Sequence, residues 1–343
     1  MMWKGGTSMN ITVTRKGFVV GSVAASLSLA ACGSRATAPA ATSSDPVEVR
    51  VASLKGPTSI GLVAFMDKAS LEQTGLTNTY DFQVYGTADE VLPKVISGDV
   101  DIALVPANVS SVLYNKTQGA IQALDINTLG VLSIVTGDAS VAEFADLAGR
   151  TVYLTGKGTT PEYVMGYLLD RAGITDAVTL EFKSEAAEVV NALAADPSAV
   201  GVLPEPYKTA ALARNDSLSA PVALSDVWDS LATDGSRMVT GVTIVRREFA
   251  ENNAQAVEEF LAQQESSVEV VKADPATYAQ SVVDHGIIDA APVAEKAIPG
   301  CNLVCLAGDD MKAALSGYLD VLSQFDASSV GGSLPGDDFY YGA

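Results

Sequence analysis

Gly98-Asp99-Val100-Asp101-Ile102-Ala103-Leu104-Val105-Pro106 is the stretch on which the fold of this chain turns. Its centre, residues 102–105, is wholly apolar and is ended by a proline. A short run of that kind belongs to a strand covered on both faces, as in a parallel sheet flanked by helices. Upstream, residues 88–96 have helical period and stop at Ser97-Gly98, and residues 81–85 read as a strand. Before those, residues 59–71 are helical in period and closed by Gly75, while residues 47–54 (VEVRVASL) alternate like a first strand. Downstream a helix opens at about residues 108–116. This βαβαβα order predicts an open parallel sheet with right-handed crossovers.

The rhythm then restarts. Residues 129–135 read as a strand of the first lobe, and Phe144-Ala145-Asp146-Leu147-Ala148-Gly149-Arg150 leads into a new strand at 151–154. Helix 161–172, strand 178–182, helix 185–194, strand 199–203 and helix 207–213 follow. Residues 239–245 (VTGVTIV) read as a strand returning to the first lobe, which helices at 249–271 and 309–325 complete. The expectation is an α/β chain of two lobes, each a mostly parallel sheet flanked by helices. Lobe 1 comprises 46–136 and 238–343, and lobe 2 comprises 137–237, with crossings near 136 and 238.

The first 31 residues read as a signal peptide. Lys4, Arg15 and Lys16 give a positive start, no acidic residue precedes Asp45, and residues 18–31 form an apolar, small-residue stretch. That stretch is shorter than the roughly 20 residues a spanning helix needs. Leu29-Ala30-Ala31-Cys32-Gly33 resembles a bacterial lipobox, which implies cleavage before Cys32 and lipidation of its thiol. Residues 33–45, rich in Ser, Thr, Ala and Pro, then form a flexible tether, with 32–45 as the lipid-bearing segment. The expected location is the outer face of a bacterial cytoplasmic membrane, held by acyl chains on Cys32. Thr14-Arg15-Lys16-Gly17-Phe18 is a degenerate twin-arginine pattern, so either export route stays open, as does a start at Met1 or Met9.

The chain has 343 residues and a net charge of −20; removing the three leader cations leaves 18 basic against 41 acidic residues, or −23. That balance argues against nucleic acid and against a polybasic membrane surface. With Cys32 assigned, Cys301 and Cys305 remain, either as a disulfide or as two free thiols. In a strand, residues four apart would sit too far apart to bridge. His285 is the only histidine, in Asp284-His285-Gly286, so no metal site and no nucleophile–base pair is expected, and no cofactor is implied.

Three pieces carry a resemblance over most of the chain beyond the tether: residues 98–106, Asp146-Leu147-Ala148-Gly149-Arg150-Thr151-Val152, and Leu203-Pro204-Glu205-Pro206-Tyr207. Their order and spacing resemble the substrate-binding proteins of bacterial ABC importers, in the nitrate/sulfonate/taurine and pyrimidine-precursor group. The resemblance implies a two-lobed type II periplasmic-binding-protein fold and a monomer that closes on one small ligand. It also implies ABC permease and ATPase subunits as partners and no catalysis. The alternatives are a carboxylate-based lyase on the same fold and a solute receptor for a sensor kinase.

In an open α/β sheet, ligands bind beyond the carboxyl ends of the strands. Three strand-to-helix junctions lie there: Lys55-Gly56-Pro57-Thr58-Ser59, Pro106-Ala107-Asn108, and Gly156-Lys157-Gly158-Thr159-Thr160. Each offers helix-start amides and a partial positive charge, suited to an anionic or electron-rich group. Each taken alone reads better as an ordinary turn; three in corresponding positions, in a chain with this resemblance, favour a binding role. Thr160 is expected as N-cap, with Pro161 at the first helical position. Gly156–Thr159 is not a phosphate-binding P-loop, because the upstream glycine is missing. Glu205 could accept from a ligand N–H, or instead cap a loop or pair with a base. Tyr85 and Tyr207 are candidates for a flat wall or for core. Arg237, at the second crossing, could meet a ligand acid, or serve as a hinge or salt-bridge residue. The ligand itself stays unassigned by sequence.

Overall fold

The structure, a computed structural model, describes residues 45–71, 75–231 and 236–343. The signal-peptide segment, Cys32 and most of the tether lie outside the described residues. Eleven strands form two sheets. The first holds β1 (Glu48–Leu54), β2 (Thr79–Tyr85), β3 (Ile102–Pro106), β4 (Ile121–Leu129), β10 (Val239–Arg246) and β11 (Leu303–Ala307). The second holds β5 (Leu132–Thr136), β6 (Thr151–Leu154), β7 (Thr179–Phe182), β8 (Val200–Pro204) and β9 (Ser219–Ala223).

The helices of the first half are α1 (Pro57–Ile60), α2 (Val63–Ala69), α3 (Ala88–Ser97) and α4 (Ala107–Lys116). The second sheet carries α5 (Thr160–Arg171), α6 (Ala186–Ala195), α7 (Tyr207–Arg214) and α8 (Leu224–Leu231). After β10 come α9 (Arg247–Asn252), α10 (Ala254–Ala273), α11 (Pro275–Asp284), α12 (Ala291–Ala297) and α13 (Gly308–Phe325).

Local chemistry explains why these elements form. Residues 102–105 are all buried, as their continuous apolar run requires, and β1 pairs in parallel with both β2 and β3. Helix α3 opens with a Thr87/Glu90 capping box and ends on Gly98 at φ 81°, a left-handed position that glycine adopts without strain.

Both sheets follow one plan. The order β2-β1-β3-β10-β4 in the first sheet matches β7-β6-β8-β5-β9 in the second. In each, the fourth place is taken by an antiparallel strand that is the first to arrive from the other lobe. The sheets are therefore mixed, with three parallel neighbours followed by antiparallel pairings. One expectation is corrected here. Residues 129–135 are not a single strand of the first lobe: β4 ends at Leu129 and β5 (Leu132–Thr136) pairs with β8 in the second sheet. Gly130 makes the break, tight against Ser225 and Met238, where a Cβ would stand 3.0 Å from the serine side chain.

The core has a purely first-lobe part, in which Phe65 packs edge-on against Tyr80 and Phe82 at 4.7 and 5.1 Å between ring centres. The larger cluster runs through both sheets. Trp228 of α8, fully buried, lies 4.7 Å from Tyr167 of α5 and 5.3 Å from Tyr318 of α13. Helix α13 thus belongs to neither lobe alone; its Phe325 also covers Gly166 of α5.

Candidate ligand-binding site

The structure gives the three expected junctions different work. In the first, Gly56 adopts φ 120°, ψ −157°, a conformation open to glycine almost alone, and Pro57 starts α1. The hydroxyls behind it turn back on the strand. Thr58 Oγ1 donates to Leu54 O at 3.1 Å, and Ser59 Oγ contacts Ser53 Oγ and Leu54 O at 2.6 and 2.5 Å. Both residues are buried, so they close the junction and do not present a donor.

The second and third junctions touch. Asn108, after Pro106 and the fully buried Ala107, accepts from Thr160 Oγ1 at 3.3 Å and donates to Ser329 O at 3.2 Å. This is a buried hydrogen bond between the lobes, with the Tyr318 hydroxyl beside Thr160; burial pushes that phenol well above its usual range. Thr160 is the first residue of α5 and Thr159 its N-cap, one position earlier than the sequence suggested. The Thr159 hydroxyl bonds Gly156 O at 2.8 Å, and Glu162 takes the Gly158 N–H. A Cβ on Gly156 would meet Thr159 Oγ1 and the Pro161 ring at 2.7 and 2.8 Å, so glycine is required there. Lys157 is exposed, its ammonium 6.0 Å from the Phe182 ring centre.

Glu205 has partners within the protein. It is 2% exposed, pairs with Lys208 at 2.8 Å, and accepts from Thr209 N and Oγ1 at 3.2 and 3.1 Å. It also presses on the opposite lobe, where its Oε1 would lie 2.7 Å from a Cβ at Gly300. Tyr85 gives its hydroxyl to Gln83 and its ring face to Lys94. Arg237 is exposed. Cys301 and Cys305 are free thiols, so the bridge left open by sequence is not formed. Cys301 closes a short helical turn and is buried, and Cys305 lies in β11.

Between the lobes a cavity of about 250 Å³ does present free groups. Lys55 and Tyr207 line it as expected, together with Glu185 before α6, Arg214 at the end of α7, and Asp289 between α11 and α12. Ile287, Ile288, Val190 and Val293 supply apolar wall. The first-sheet half contributes one cation and one anion, Lys55 and Asp289, and the second-sheet half contributes Arg214 and Glu185. None of these four forms an ion pair among the described residues. Burial, then the charges of Glu185 and Asp289, raise the Tyr207 phenol above its ordinary range, so the hydroxyl stays protonated and able to donate. Sequence reasoning missed Glu185, Arg214 and Asp289. A surface charge carries no local signal of what it will face.

No family model and no curated protein sequence matches the chain. Solved structures do. An ABC transporter protein from Parabacteroides distasonis superposes with a TM-score of 0.71 at 23% identity, over 85% of this chain and 98% of that one. The periplasmic aliphatic sulphonate binding protein SsuA from Escherichia coli gives 0.69 at 15%, over 86% and 91%. The alkanesulfonate-binding protein SsuA from Xanthomonas axonopodis pv. citri, bound to MOPS, gives 0.62 at 14%, over 85% and 96%. The chain has the two-lobed periplasmic-binding-protein fold of these ABC-importer components.

Proposed function

We propose that the chain is an extracytoplasmic solute-binding lipoprotein that captures a small organic or anionic solute between its lobes and delivers it to an ABC permease. The observation that carries this reading is the interlobe cavity, walled by both sheets' loops and holding four charges without ion-pair partners among the described residues. Its volume of about 250 Å³ suits a solute of a few heavy atoms, below the roughly 300–1,000 Å³ typical of drug-sized ligands. Lys55 and Arg214 receive the solute's acid group; Glu185, Asp289 and the Tyr207 hydroxyl receive a donor or a second, cationic group. Sulfonates, nitrate and pyrimidine precursors are the classes to test, and an amino-sulfonate or amino-carboxylate engages both halves of the charge set. The nearby sulfonate-binding folds support that choice.

The lobes are taken as 46–130 with 238–343, and 131–237, which moves the first crossing to Gly130 where β4 gives way to β5. Cys32 supplies the anchor, and the segment after it a tether long enough to let the binding domain reach a permease. No helix among the described residues is long and apolar enough to cross a membrane.

The test is a thermal-shift screen of the chain lacking residues 1–32 against these solutes, with calorimetry on each hit. A ligand present at 100 times its Kd stabilises by about 2.7 kcal/mol, a rise of a few degrees in a chain this size. Silence throughout the screen, combined with turnover in an assay for carboxylate-based lyase chemistry, would reject the binding reading. Cys32→Ala should release the protein from membranes, and lipid labelling that persists in that variant would reject the anchor.

A further inference from the structure

Away from the cavity, the first lobe buries a carboxylate with no cation beside it. Asp125 of β4 is 0% exposed and forms no ion pair among the described residues. Its Oδ1 accepts from Thr243 Oγ1 of β10 at 3.1 Å and from Gln264 Nε2 of α10 at 3.1 Å. Gln264 Nε2 also donates to Thr243 Oγ1 at 3.2 Å, which fixes the orientation of the amide. Asn127 Nδ2 donates to Thr243 Oγ1 at 3.2 Å and completes the cluster.

Two atoms of the cluster have no partner among the described residues: Asp125 Oδ2 and Gln264 Oε1. They are the free ends of two planar groups already joined at the other end. As a carboxylate, Asp125 would hold a buried charge with no cation beside it and one oxygen without a donor, which a low-dielectric interior disfavours. One proton on Oδ2 removes that charge and supplies the donor that Gln264 Oε1 lacks.

We propose that Asp125 is kept as the neutral carboxylic acid, its Oδ2–H donating to Gln264 Oε1, so that an acid–amide pair ties both crossing strands to α10. Strand β4 runs directly into β5 of the second sheet, and β10 returns the chain to the first, so the pair fastens the two strands between which the lobes hinge. Burial, opposed by the Thr243 and Gln264 hydrogen bonds, lifts this carboxyl to about 8. Of the other ionisable groups packed there, the Cys305 thiol of β11 is itself pushed up, by burial first and then by the charges of Asp125 and Glu265. Glu265 of α10 acts on the Cys305 thiol, and Lys272 of α10 is bound to Leu303 O at 3.0 Å. Among the described residues no cation pairs with Asp125.

The sign follows from linkage. The unfolded chain loses this proton near pH ~3.9, whereas the folded chain keeps it to about 8. Folding therefore retains one extra proton between those limits, and stability falls as pH rises through that window. For this group alone the unfolding constant grows about tenfold per pH unit.

The experiment pairs two measurements on the purified chain. Infrared spectra at pH 7 should show the carbonyl band of one protonated carboxylic acid, absent in Asp125→Asn. Denaturant titrations from pH 5 to 8 should show wild type losing about tenfold more per pH unit than Asp125→Asn, whose amide can donate to Gln264 Oε1 without a titrating proton. Gln264→Met, which removes the acceptor but not the acid, should shift the band to higher frequency. If wild type lacks the band at pH 7, the proposal fails, because a water bridging the two orphan atoms would then leave Asp125 ionised. Equal pH slopes for wild type and Asp125→Asn would also overturn it.

Discussion

Where the lobes meet, the buried seam and the open cavity use similar residue types to opposite ends. Along the seam, Asn108, Thr160, Glu205 and the Trp228 ring are enclosed, and their polar atoms are matched by neighbours across or beside the boundary. Around the cavity, Lys55, Glu185, Arg214 and Asp289 are exposed and form no ion pair among the described residues. A buried polar group without a partner is expensive, and Asn108, Thr160 and Glu205 are accordingly bonded within the protein, whereas the buried Ser329 hydroxyl beside them has no partner among the described residues. Exposed charges keep water as an alternative partner, and so stay available. The difference teaches that junction residues chosen for their polarity can serve as mortar, while the recognition proposed above rests on charges that no motif marks.

The sharpest way to break this comparison is Trp228→Ala. The ring is fully buried between Tyr167 and Tyr318, and its loss should cost about 3–5 kcal/mol in denaturant titration. Ligand preference among the solutes that bind should be unchanged, and a change in preference would mean that the seam reads the ligand. Asn108→Ala comes next, at about 1–3 kcal/mol, because it leaves Ser329 O and Thr160 short of a partner.

Substitutions at the cavity should reverse the pattern. Lys55→Ala and Arg214→Ala are each expected to weaken binding of an anionic solute about tenfold, a difference of about 1.4 kcal/mol in binding free energy, with an unchanged melting temperature. The loss should shrink as salt is added, because these are exposed charges. Glu185→Gln should weaken zwitterions and spare simple anions, a split visible by calorimetry. The smallest effect belongs to Arg237→Ala, exposed and outside the cavity wall, which should leave both binding and midpoint where they were.

Much of the architecture could be read locally. Residues 102–105, the helix closed by Gly98, and the strands at 151–154 and 239–245 announce themselves through period and punctuation. Strand β4 did not. Its sequence, Ile121-Gln122-Ala123-Leu124-Asp125-Ile126-Asn127-Thr128-Leu129, interrupts every apolar pattern with polar residues, yet all but Gln122 and Leu129 are buried. Its Asp125 is made tolerable by Gln264, 139 residues later, and no local window contains that information. The cavity was half legible for the same reason. Lys55 and Tyr207 sit at junctions that topology sends to the cleft, whereas Arg214 and Asp289 sit at the far end of a helix and in a loop between two helices.

By itself the sequence determined the two-lobed α/β plan and the positions where glycine and proline must stand, because these follow from apolar period and backbone sterics within a few residues. Only the tertiary structure decided which polar groups are bonded and which are free. That depends on contacts between residues more than a hundred positions apart, such as Asp125 with Gln264 and Thr243, or Glu205 against Gly300 at shorter range, and on the burial that makes each pairing necessary.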